Sequence, residues 1–460
     1  MRLTKNRLAN FFLRLYPADI REKPLSFKRF NRILLGGLLL RFIFMPIAAH
    51  NDFLSVHVRV YQLLGQITVP PGFFQFFSHY IEAFFMWLVL PLIPDAAQVF
   101  VPTAAGATTI EITEMMNFAA SNYVFRSIFL LKIPYLLFEI AALFMVIHMI
   151  KNRRNLFRVL KFWLFNPVII YAVYIFGRFE VYVFVLVMAS LYFAIYKRNY
   201  YLSGVFIGIS VMTRAYTMFL VPIFLILLPQ RLKTKIIYLL FTAIPILFVF
   251  LANMFSPHIA VAQRVEGEGQ FIRFMTEYSI ISLRGFHIQL FVLFYLLLMI
   301  ILVYLDRSIK KEGEPMLPSL YKTSTFIKAS MFAVIFFLIF YLTSPSAAQW
   351  FSWMMPFAAV IVARYPKYFG FFFALIGSWF FYWLFASDVG VFTPYLFTPL
   401  DGPYFHQAAV NFRVALQDIQ IGDSVTAETF INFFRTVYST IIIWILFLLG
   451  RDIYREARGL

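Results

Sequence analysis

The chain has no cysteine, which excludes disulfides, thiolate metal sites and cysteine nucleophiles. Charge is scarce too: 13% of the 460 residues are charged, about half the share of a soluble domain. Acid is the scarcer sign, with 22 Asp and Glu against 40 Lys and Arg. Among the seven histidines only His50 and His57 lie near each other, and no HExxH spacing occurs, so metal sites are poorly supported. There is no nucleophile-elbow serine. There is also no Gly-rich phosphate loop, internal repeat or heptad, so an ATP-driven pump finds no support. No cleavable signal is evident, because the first 32 residues carry nine Lys and Arg, too many for a signal n-region.

What is present is apolar. Hydrophobic residues make up 62% of the chain, including 60 Phe and 26 Tyr, and they fall in runs too long for one aqueous core. The runs lie near 33–49, 73–93, 124–150, 159–176, 180–196, 201–230, 235–255, 286–305, 326–343, 350–364, 369–386 and 435–450. An all-α polytopic membrane protein follows. Short basic clusters separate the runs, at 151–161, 197–198, 231–235, 306–328, 364–367 and 451–458. The positive-inside rule assigns all of these to the cytoplasm, and this placement accounts for the net charge of +18 without nucleic acid.

Parity then settles two runs. Residues 73–93 cannot cross once without exporting the 151–161 cluster. Gln75, Ser78, His79 and Glu82 form one polar stripe there, which suits an interfacial helix. The 201–230 run must cross twice as two short spans. The expected arrangement is a basic cytoplasmic segment at 1–32, a membrane domain at 33–450 and a cytoplasmic tail at 451–460. About twelve spans are expected, with outer segments at 50–122, 256–285 and 387–434, the first carrying interfacial helices. The lack of cysteine favours a prokaryotic plasma membrane over the endoplasmic reticulum.

Candidate chemistry gathers on the outer side. His50, Asn51 and Asp52 emerge from the first span, where a carboxylate near lipid suits a general base; the competing reading is a helix cap at Asn51 or Asp52. Arg41, inside that span, either faces substrate or pairs with Glu139, the only acid expected within a span. Lys132 and Glu139 are too far apart on one helix to meet, so each needs another partner. Gly177-Arg178-Phe179-Glu180 reads as a tight outer turn, functional or merely a solvated rim. Arg214, at the turn between the short spans, could bind a phosphate or snorkel to headgroups. The loop 263–279, with Arg264, Glu266, Glu268 and Arg273, could close over substrate. Gln349, Trp350 and Trp353 could offer faces on which a sugar stacks, or form a membrane belt.

In this order the landmarks resemble the polytopic glycosyltransferases of the GT-C superfold. The similarity is to the mannosyltransferase branch that includes the catalytic subunit of GPI mannosyltransferase I and bacterial polyprenol-dependent enzymes. It rests on Arg41 followed by HNDF, then VPPGFFQFF, FRSIFLLKIPYLLFEI, FNPVIIYAVYIFGRFE, GISVMTRAYTMFLVPIF and AAQWFSWMMPF, covering about 40–360. Where the family turn reads GQxD, this chain has Arg178 and Glu180; the family lysine after the fifth span is Arg214; and the late motif is AAQW. The resemblance implies an inverting hexosyltransferase, mannose favoured, using a polyprenyl-phosphate-linked donor and a glycan or glycolipid acceptor at the outer face. It assigns Asp52 as catalytic base. Arg214 and Arg178 would bind donor phosphate, with Glu180, His50, Asn51, Arg41, Gln349, Trp350 and Arg273 positioning substrate. No cofactor is required by this chemistry, though a divalent cation stays open, as does a partner subunit. The alternative is a secondary transporter or lipid-linked sugar flippase, for which functional residues belong at the midplane.

Overall fold

The computed structural model describes residues 20, 24–65, 75–100, 112–150, 152–227, 231–254, 279–283, 286–311, 318–344, 347–386, 391–392, 394–407 and 427–457. Helix α1 (Pro24–Ile47) leads through a three-residue coil into α2 (Asn51–Leu64) and then α3 (Phe76–Val89). The long helix α4 (Val124–Met149) precedes α5 (Arg153–Leu164), which continues through a π-turn at Ile170–Ile175. Next come α6 (Glu180–Leu191), α7 (Tyr200–Val211), α8 (Leu220–Leu227) and α9 (Leu232–Met254). The last group is α10 (Leu290–Lys311), α11 (Pro318–Thr343), α12 (Met355–Arg364), α13 (Tyr368–Ala386) and α14 (Ala427–Ala457). Among the described residues, eight helices are long and apolar enough to cross a membrane, so the chain is a multi-pass helical membrane protein.

Burial separates a core from a lipid-facing shell. Every residue of α6 is buried, as expected of a helix that is apolar on all sides. Helix α12 is buried through Ala363, and both pack among α4, α5, α7 and α11. By contrast Leu240, Phe248, Ile300, Phe373 and Phe447 on α9, α10, α13 and α14 are each more than half exposed, a surface that water does not tolerate. Helices α7 and α9 approach most closely at Gly204 and Gly208. A Cβ there would stand 2.5 Å from the Tyr238 carbonyl oxygen and 2.4 Å from that of Thr242. Small residues four apart are what let membrane helices touch backbone to backbone.

Several sequence expectations are modified. The polar stripe on α3 faces protein rather than headgroups: Ser78, His79 and Glu82 are buried, while Tyr80, Phe84 and Trp87 are exposed. Helix α3 sits against α2 and α4, so its polar side packs inward, with Glu82 3.8 Å from His57, and its apolar side is the one left exposed. The 201–230 run does break, at residues 212–214, into α7 and a 3₁₀ turn (Ala215–Phe219) leading to α8. The 286–305 run starts as a short strand: β1 (Ser279–Leu283) pairs antiparallel with β2 (Phe286–Gln289), a small hairpin in an otherwise helical chain. Neither terminal boundary is a break in structure. Helix α1 starts at Pro24, and α14 runs on to Ala457, fastened by Asp452, which accepts from Tyr368 Oη at 2.7 Å and pairs with Lys367 at 2.5 Å.

Candidate active site

The site forms where the coil after α1, the turn before α6, the break after α7 and the 3₁₀ turn Ala348–Met354 meet at one end of the bundle. Backbone bonds hold them: Ala49 N–H donates to the Leu396 carbonyl at 2.9 Å and His50 N–H to that of Phe176 at 3.1 Å. Lys132, fully buried on α4, donates to the carbonyls of Ala48 and Tyr174 and so brackets the first two segments together. The π-turn widens the chain just ahead of Gly177, a distortion found often at functional sites. Gly177 has φ +78°, and a Cβ there would meet Lys132 Cε at 2.9 Å, so only glycine fits the turn that presents Arg178.

His50, rather than Asn51 or Asp52, is the cap of α2: its Nδ1 accepts the Asp52 N–H at 3.0 Å. Burial above all, with help from Arg178 and against Asp52, pushes His50 down to about 4. The imidazole is therefore neutral near pH 7 and able to accept. It also stacks on Phe176, ring centres 4.0 Å apart. Relieved of capping, the Asp52 carboxylate accepts a hydrogen bond from Arg178 Nη1. Arg178 Nε lies 3.9 Å from Glu180, which in turn receives Arg214 Nη2 at 2.6 Å and the Trp353 indole N–H at 2.7 Å. The Phe179 ring lies beside both guanidiniums, 5.6 Å from Arg178 and 4.8 Å from Arg214.

This row of alternating charge runs from water into the core. The side chains of Asp52, Arg178, Arg214 and Glu180 are 37, 17, 9 and 0% exposed. Burial by itself would raise the Asp52 pKa, but Arg178, then His50, Arg214 and Arg59, hold it below the usual carboxylate value. The cluster thus offers an accessible carboxylate beside two arginines, one half-shielded and one buried. Such arginines suit a phosphate, with Glu180 fixing the inner one.

Of the residues expected to form a site, the structure brings His50, Asp52, Arg178, Glu180 and Arg214 together. Asn51 opens α2, its carbonyl accepting from Ser55 Oγ at 2.9 Å. Gln349 and Trp350 are buried in the 3₁₀ turn and offer no open face to a sugar. Trp350 stacks instead on Trp353, and the Arg214 guanidinium lies over it at 5.9 Å, so the aromatic row supports a cation. Of the two roles expected for Arg41, the structure shows the pair with Glu139. Arg41 is fully buried and bound bidentately to Glu139 at 2.8 and 2.5 Å, with Nη1 given to the Gly37 and Leu164 carbonyls. Trp163 and Tyr174 also donate to Glu139, completing a closed structural network. Arg273 and the 263–278 part of its loop lie outside the described residues.

Sequence reasoning offers Trp353 only as a stacking face and Lys132 only as a cation in need of a partner, and it gives no site role to Phe179 or Arg59. Arg59 alone carried a usable signal, standing two turns beyond Asp52 on the same face of α2. Among the described residues, no three or more His, Asp or Glu could hold a metal ion together. No protein-family model matches the chain, and neither a curated protein nor a solved structure does so.

Proposed function

We propose that the chain is an inverting glycosyltransferase that moves a hexose, mannose favoured, from a polyprenyl-phosphate-linked donor to a glycan or glycolipid acceptor. The observation that carries this is the contact of Asp52, an accessible carboxylate, with Arg178 at the head of the Glu180–Arg214 pair. In this reading the site faces outward from a prokaryotic plasma membrane and about twelve spans surround it. The short apolar helices Tyr200–Val211, Ala215–Leu227 and Leu290–Leu305, and the turn and helix over 348–364, would then cross as well.

Asp52 takes the proton of the acceptor hydroxyl as that oxygen attacks the anomeric carbon. The new C–O bond forms on the face opposite the donor phosphate, whose own bond to carbon breaks with both electrons going to the leaving oxygen. Arg178 and Arg214 neutralise the released polyprenyl phosphate, the charge that grows in the transition state. The resting ion pair adds a control. Arg178 depresses the basicity of Asp52 until a donor phosphate competes for the guanidinium, so arrival of the donor frees the base. A midplane substrate site of the transporter kind finds less support, since the Arg41–Glu139 pair is closed on itself.

The test is transfer of radiolabelled sugar from polyprenyl-phosphate-mannose and polyprenyl-phosphate-glucose to a membrane glycolipid extract. Wild type and Asp52→Asn are compared as purified proteins. Transfer by wild type only, with both proteins equally heat-stable, is the expected result. Full transfer by the variant removes Asp52 as base, and failure of the wild type to bind either donor removes the reaction class.

A further inference from the structure

At the end of the bundle opposite Asp52, the start of α1 and the start of α5 enclose a concavity of about 530 Å³. Its lining is Arg29, Arg153, Arg154, Phe157, Arg158 and Lys161, so five cations share one hollow with no acid among the lining residues. Part of this arrangement is built rather than loose. Arg29 lies over the Phe157 ring at 4.9 Å, and Arg158 donates to the Ala363 carbonyl at 3.2 Å and towards Asn155 Oδ1 at 3.5 Å. Asn152 caps α5 through the N–H groups of Arg154 and Asn155, directing the positive end of the helix at the same hollow. Like charges held this close repel one another, and a bound anion turns that cost into attraction.

We infer that this hollow binds the headgroup of an anionic membrane lipid, with preference for one carrying two phosphates. Two features favour a lipid over a soluble anion. The hollow sits at the membrane boundary, where a span begins on α1. Nearby on the bundle exterior, Leu35 and Leu39 of α1 and Phe165 beyond α5 are exposed, an apolar strip open to lipid. Acyl chains can follow that strip while phosphates reach Arg153, Arg154 and Lys161, the pairing that basic pockets between membrane helices make. The inference is independent of the reaction at the other end.

The test uses full-length protein in mild detergent, stripped of lipid and titrated by native mass spectrometry with cardiolipin, phosphatidylglycerol, phosphatidylcholine and inorganic pyrophosphate. Binding is expected in the order cardiolipin, phosphatidylglycerol, phosphatidylcholine, with pyrophosphate a poor competitor. Arg154→Gln with Lys161→Gln, both exposed side chains, should weaken cardiolipin at least about tenfold at unchanged helix content. Arg231→Gln with Lys233→Gln, in the basic cluster at the start of α9, should leave it unaltered. Equal binding by the first variant, an equal loss in the second, or pyrophosphate competing as well as lipid would each overturn the assignment.

Discussion

The Arg41–Glu139 pair predicts an asymmetry between its two partners. Both side chains are fully buried, and Glu139 accepts from Arg41 twice, from Trp163 and from Tyr174. Glu139→Gln keeps the shape but leaves the guanidinium without a counter-charge, and guanidinium cannot give up its proton in a protein. Stranding one charge of a buried pair costs about 3–5 kcal/mol. Arg41→Met fills most of the same space and strands a carboxylate instead. That carboxylate keeps the Trp163 and Tyr174 donors, so the loss should be about 1–3 kcal/mol. The double variant removes both charges and should be less destabilised than Glu139→Gln alone, which requires a coupling larger than the Arg41→Met loss, about 1–3 kcal/mol. Thermal unfolding of the purified proteins in one detergent, followed by tryptophan fluorescence, measures the order directly. Equal losses, or a double variant as weak as the sum of its parts, would refute the reasoning. So would an Arg41→Met protein of normal stability that had lost turnover, for that would return Arg41 to the substrate.

Other expectations follow from the site and its supports. Because Arg178 holds the Asp52 pKa down, Arg178→Gln should shift the acid limb of kcat/KM to higher pH, since a base must be ionised to act. The same sign governs stability: the Asp52–Arg178 contribution is present above the unfolded carboxylate pKa and lost as pH falls through the folded one, so acid unfolding should lose that contribution in the variant. An unmoved limb would separate Asp52 from the titrating base. Gly177→Ala must hold a left-handed backbone at a cost of about 1–2 kcal/mol, and it pushes on Lys132 and Phe53. Transfer should fall further than the melting temperature implies, whereas equal falls would make the turn purely structural. Gly208→Leu forces α7 away from Thr242 and Pro245 and should cost about 1–3 kcal/mol in thermal unfolding, with no change contradicting the close approach.

Membrane character was written in composition: long apolar runs separated by basic clusters leave a bilayer as the only solvent for the exposed faces of α9, α10, α13 and α14. Helix positions followed, including the break near Arg214, because apolar length and charge placement are local properties of the chain. Asp52, Arg178, Glu180 and Arg214 could be picked out singly, since each is a charge where an apolar run ends. That these four form one row was decided by tertiary structure alone, for they come from three stretches of chain and meet only when α2, α6 and α7 are in place. Packing also reversed local appearances. The α3 stripe turned inward and the tryptophan row turned to support Arg214, while of the two readings open for Arg41 packing chose the pair with Glu139. The reason is common to all three. A sequence shows which side chains carry charge, hydrogen-bonding groups or rings, but their partners lie tens of residues distant, and in an apolar surrounding the partner determines what a polar group does.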